Sequence, residues 1–156
     1  MNFPNIYVLP NIKAKNRDGS PDHDGLKRLG EILTRRVVKE LFSGDSLTAL
    51  ASLSSGIPRE LIALARIACL EARASGKDVI MPDHVEQAAK SRRLDYQVLL
   101  SNRQIELLRN IHQTKSIDND EDHRALLHNL SALEFRNDEA WYDVHPLIEP
   151  LLIDKS

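Results

Sequence analysis

Two prolines, Pro58 and Pro82, each stand at the head of an apolar-periodic run, and glycines at 56 and 76 bracket the first of these runs. Proline at the first helical position gives up an N–H that has no intrahelical acceptor there, and glycine past the last turn stops a helix. The pattern predicts a helix from Pro58 to Gly76 that buries Leu61, Leu64, Ala65, Ala68 and Ala72. It predicts another opening at Pro82, with Val85, Ala88 and Ala89 on one face. A chain punctuated in this way must pack helices through its middle.

Upstream, Leu26, Leu29, Leu33, Val37 and Leu41 recur every three or four residues, with Arg28, Arg35 and Lys39 opposite. This predicts one amphipathic helix from about Gly25 to Phe42 with a basic outer face. Asp45-Ser46 offers an N-cap for a shorter helix carrying Leu47, Leu50 and Ala51 and ending near Gly56. Before these lie a strand-like run from Phe3 to Ile12, broken by prolines as an edge or extended arm would be, and a turn-rich loop from Asn16 to Asp22. Downstream, Arg92–Tyr96 reads as a junction, after which Ser101-Asn102-Arg103-Gln104 fits a capping box opening a helix with Ile105, Leu108 and Ile111 inward. A polar, acidic loop follows from Thr114 to Asp122, then a helix through Arg124, Leu126, Leu127 and Leu130. Last come two short strands, Leu133–Arg136 and Ala140–Val144, around a turn at Asn137-Asp138-Glu139.

The segment Ser54-Ser55-Gly56-Ile57-Pro58-Arg59 through Arg66 resembles the sensor-two segment of AAA-type P-loop ATPases, in which Gly, Pro and Arg open a lid helix. Asp78-Val79-Ile80-Met81-Pro82-Asp83-His84-Val85 is similar to the phrase that opens the last lid helix, one that histone folds also use. Leu130–Glu134 followed by Trp141–Leu147 is similar to the winged helix after the lid in bacterial AAA/STAND-type ATPases, and origin-recognition and initiator ATPases share the order. The resemblance implies a mainly helical fold: an extended arm at 1–21 resembling the end of an ATPase core, a helical lid at 22–92 and a winged helix with a small hairpin at 98–154. It implies that Arg59 senses the phosphates of ATP.

The chain lacks the rest of such an ATPase. A phosphate-binding loop needs GxxxxGK[ST]. The one GxxxxG spacing, Gly25 to Gly30, continues Glu31-Ile32 inside a helical pattern, and no apolar strand ends in Asp-Glu to hold magnesium. The chain is therefore expected to be the C-terminal, non-catalytic part of a larger ATPase. ATP and magnesium would act as cofactors only with the missing core, in the same or another chain. Arg66 and Arg73 follow Arg59 at intervals of seven, on one side of the helix, and form a candidate interface.

The alternative, from another class, is a free-standing winged-helix DNA-binding regulator, with Arg124 and Arg136 as candidate nucleic-acid contacts. Charge disfavours it. Residues 1–100 carry a net charge of +3 but residues 101–156 carry −5, and the recognition region holds Asp118, Asp120, Glu121 and Asp122 against Arg124. A protein partner is expected there instead. A hydrolase finds no Ser/His/Asp arrangement to rest on.

Metal readings also fail. His84-Val85-Glu86 matches H-x-E, but the lone Cys69, expected in the core, leaves no zinc partner. His123 and His128, five apart, and the Asp118-Asp120-Asp122 spacing read as surface residues, and no metal is expected. Phe135, Trp141 and Tyr142 read as small-domain core, and His145 as a satisfied polar residue at a strand end. Nothing apolar is long enough to span a membrane and no signal-peptide pattern opens the chain, so a cytoplasmic protein is expected.

Overall fold

The computed structural model describes residues 11–136 and 139–153. The strand-like run before Asn11, and Asn137-Asp138 of the expected turn, lie outside the described residues.

Among the described residues the fold is mainly helical, with six α-helices and one two-stranded antiparallel sheet. Helix α1, His23–Thr34, is capped by Asp22, whose carboxylate accepts the Gly25 N–H at 2.9 Å. The helix expected to reach Phe42 ends here. Residues 35–37 turn and Lys39–Leu41 form a single 3₁₀ turn, leaving Val37 and Val38 exposed. The three-to-four spacing of Val37 and Leu41 therefore did not mark a continued helical face. The break lets the chain pair with the segment before α4: Ile80 donates to the Leu41 carbonyl at 2.7 Å and Ser43 to the Ile80 carbonyl at 2.9 Å.

Helix α2, Ser46–Leu53, follows Asp45, whose side chain makes no capping bond. Helices α3, Pro58–Ala74, and α4, Pro82–Leu99, open on their prolines as expected and pack on each other, while α2 rests on both. Helix α4 runs through Arg92–Tyr96, so the expected junction is helical. The reason is side-chain bonding: Arg92 reaches Glu60 of α3, and Arg93 donates to the Leu147 carbonyl at 2.9 Å.

Ser101 and Gln104 form the expected capping box, opening α5, Asn102–Thr114. Helix α6, Glu121–His128, is short and ends two residues before Leu130, which takes a positive φ of 62°. Strands β1, Ala132–Arg136, and β2, Ala140–Val144, pair with Phe135 opposite Trp141 and Ala132 opposite Val144. Helix α5 packs on β2 and α6 on β1.

One contiguous core joins Leu29, Leu50, Leu61 and Leu64 of the first helices to Leu108, Ile111, Leu147 and Ile148 of the second half. A smaller cluster holds Leu133, Phe135 and Trp141 against Ile57, with the Phe135 and Trp141 rings stacked at 4.1 Å. Cys69, expected in the core, is only partly buried at its edge. No helix of the described residues is long and apolar enough to cross a membrane.

Candidate functional site

Two places bring polar chemistry together, and the stretch from Ile12 to Lys15 touches both. At Gly56, φ is 83°, and a Cβ there would lie 1.8 Å from the Ile12 carbonyl oxygen. At Gly25 in α1, a Cβ would lie 1.6 Å from the Lys13 carbonyl oxygen. Only glycine admits a backbone this close. The arm is thus seated on the helices by two missing methyl groups, with Ile12 donating to the Gly56 carbonyl at 3.3 Å.

Immediately after that seat, Ile57 is extended, Pro58 begins α3, and Arg59 follows in the first turn. Arg59 is exposed and makes no hydrogen bond or ion pair among the described residues. Its neighbour Glu60 is buried and forms a two-pronged pair with Arg92, at 2.8 and 2.9 Å. That hydrogen bonding raises the Arg92 pKa further, so it stays charged, while burial beside the pair pushes the Tyr96 hydroxyl up to about 12. The local chemistry neutralises Glu60 and leaves Arg59 free. Arg66 and Arg73 are likewise exposed on α3 with no ion pair among the described residues. The Gly25 to Gly30 spacing lies within α1, both glycines buried, and is no phosphate-binding loop.

The second place centres on Asp143, 1% exposed in β2. Its carboxylate accepts from Lys15 at 2.7 Å, Lys115 at 2.8 Å, His112 Nδ1 at 2.7 Å and the Val144 N–H at 2.8 Å. Burial alone pushes this carboxyl up, but the bonds from Lys115 and Lys15 outweigh it and hold it below the usual range. Lys15 also reaches Glu149 at 3.0 Å. His112, Asp143 and Glu149 lie close enough to share a metal ion, but the Lys15 ammonium already supplies the cation between the two carboxylates. A cavity of about 430 Å³ opens over this cluster, bounded by the loop of Arg17 and Asp18 and by Ser52 and Ser55 at the end of α2.

Sequence reading passed over this second place. The one signal was alternation in β2: Trp141 and Asp143 are two apart, so the strand that buries the tryptophan also buries the acid, and a buried carboxylate requires partners. Neither Lys15 nor Lys115 carries a local pattern that points to Asp143.

The remaining expected residues are elsewhere. Arg124 is tied to Asn119 Oδ1 at 2.8 and 3.2 Å, and Arg136 to Glu134 at 2.7 Å, the two lying on α6 and β1. His123, expected at the surface, is buried with its ring nitrogen on Asp120, which also caps α6 by accepting the His123 N–H at 2.8 Å. Asp118, Asp120 and His123 form a second close group, whose Asp120 oxygens are occupied by that cap. His145 is wholly buried; Nδ1 accepts the Leu147 N–H at 3.3 Å but Nε2 has no partner among the described residues, so it is only half satisfied.

Compared with protein-family models, with curated proteins and with solved structures, the chain matches none.

Proposed function

We infer that this chain is the nucleotide-sensing lid and winged-helix interaction module of a larger P-loop ATPase, with Arg59 as the cation that meets the nucleotide's terminal phosphates. The observation that carries the reading is the pairing pattern at the head of α3. Glu60 is neutralised by Arg92, whereas Arg59, one residue earlier, is exposed and without a partner among the described residues where the arm arrives at Gly56. In such an enzyme the arm is the exit from the core, so the arginine stands beside the chain that leads there. A cation placed this way strengthens its contact as negative charge develops on the transferring phosphoryl group. Without a core to hold nucleotide and magnesium, the chain neither hydrolyses nor tightly binds ATP.

The order α5, α6, β1, β2 supports a winged helix for the second half. Two features favour a protein partner there over a duplex: the acidic first turn of α6, Glu121 and Asp122, and the internal pairing of Arg124 and Arg136. The test begins with the coding DNA upstream of Met1, read in frame for a GxxxxGK[ST] loop and an acidic metal-binding strand. The encoded polypeptide, purified with Arg59→Ala, is expected to lose about tenfold or more of its ATPase rate with its thermal stability unchanged. An open reading frame that carries no such loop sinks the reading, as does an Arg59→Ala enzyme of full activity.

A further inference from the structure

We propose that the outward face of α3, from Ile62 to Arg73, is a docking surface for an acidic amphipathic helix of a partner protein. The surface serves that role whether or not Arg59, at its head, meets a nucleotide.

With successive residues about 100° apart, Arg59, Ile62, Arg66, Leu70 and Arg73 fall within an arc of about 80°. The arc lies opposite Leu61, Leu64, Ala68 and Ala72, which face the core. It runs along roughly 20 Å of helix. Ile62 is 42% exposed and Leu70 57%. A lone exposed aliphatic side chain is ordinary, and what marks these two is the company they keep.

Three and four residues from Arg66 stand Ile62, Ala63, Cys69 and Leu70; around Arg73 stand Cys69, Leu70, Gly76 and Lys77. No acid occupies the spacing at which a helix pairs its own charges. The acids of α3, Glu60 and Glu71, lie about 120° or more around the helix from the middle of the stripe. Arg59, Arg66 and Arg73 hold no hydrogen bond or ion pair among the described residues, whereas every other arginine except Arg28 holds one. Unpaired arginine is therefore a property of this face and not of arginine throughout the chain.

Charge selects the occupant. The arginines recur every seventh residue, about 10 Å apart, and a helix with a carboxylate at the same repeat meets each of them. Ile62 and Leu70 between them ask for apolar residues between those acids, and their burial supplies affinity that exposed ion pairs alone do not. A nucleic-acid duplex would match the arginines but press the two aliphatic side chains against phosphates. A second copy of α3 would set arginine against arginine.

The test titrates the 156-residue chain into a fluorescent helical peptide of about 20 residues, with glutamate at every seventh position and leucine three or four residues after each. Anisotropy at physiological ionic strength is expected to show saturable binding. Leu70→Gln should raise Kd about tenfold and Arg66→Gln about threefold, both exposed changes that leave the thermal melt in place. Arg28→Gln, which removes the same charge from another helix, should leave Kd unchanged, and a peptide with glutamine for glutamate should bind at least about tenfold more weakly. Four results overturn the proposal: no saturable binding, an equal loss in Arg28→Gln, tighter binding of a DNA duplex of similar length, or sedimentation of a self-associated chain that Leu70→Gln disperses. Because Arg59 is left intact throughout, each of these leaves the ATPase reading standing.

Discussion

Lowering the pH from 7 to 5 should destabilise this protein through the buried His145. The ring is 0% exposed, its Nδ1 accepts a backbone N–H, and its Nε2–H meets no acceptor, only the Tyr96 ring with centroids 5.5 Å apart. A second proton would put a charge where nothing can pair with it. Burial therefore lowers its pKa from 6.5 to about 4; nearby Glu60 opposes this and Arg92 and Lys15 reinforce it. Since the folded value lies below the unfolded one, the unfolded chain binds the proton more readily. Stability is full above pH 6.5 and is lost progressively as pH falls towards 4. For a single site with these two values, linkage gives a loss of about 2 kcal/mol between pH 7 and 5, rising to about 3 kcal/mol at still lower pH. The assay is urea denaturation across this range for the wild type and for His145→Asn, whose amide oxygen can still accept the Leu147 N–H. The other five histidines are common to both proteins, so the comparison isolates His145. Equal pH slopes in the two would refute the reasoning, whatever the offset between them.

Two further changes test the packing. Gly56→Ala should cost at least about 2 kcal/mol in denaturation, since it combines a left-handed backbone with displacement of the Ile12 carbonyl, and should make the arm newly sensitive to trypsin at Lys13, Lys15 and Arg17. Arg92→Met should cost about 2 kcal/mol by stranding the buried Glu60 carboxylate, and Glu60→Gln with Arg92→Met together should recover part of the loss, which a thermal double-mutant cycle measures.

Those features that depend on neighbours in sequence were legible before the structure. Proline at a helix start, Ser101 with Gln104 as reciprocal caps, and the strand Ala140–Val144 depend on residues within a few positions, and each stands where expected. The helix expected to reach Phe42 failed because periodicity reports which residues are apolar, not whether a helix persists: Val37 and Val38 are apolar yet exposed, and the backbone there turns to pair near Ile80. Arg92 and Arg93 read as a charged junction because the partners that hold them in α4, Glu60 and the Leu147 carbonyl, are 32 and 54 residues away. Alternation in β2 could have flagged Asp143 as buried, but its partners were hidden for the same reason, since Lys15, His112 and Lys115 come from elements that no local pattern joins.

The seat of the arm has a genetic consequence. Positions 25 and 56 specify Lys15 by what they omit, because any side chain on either would lift the backbone that carries the lysine onto Asp143. A lesion at Gly25 or Gly56 would therefore imitate a lesion in the cavity without altering any residue that lines it, and suppressors of it should arise in the arm.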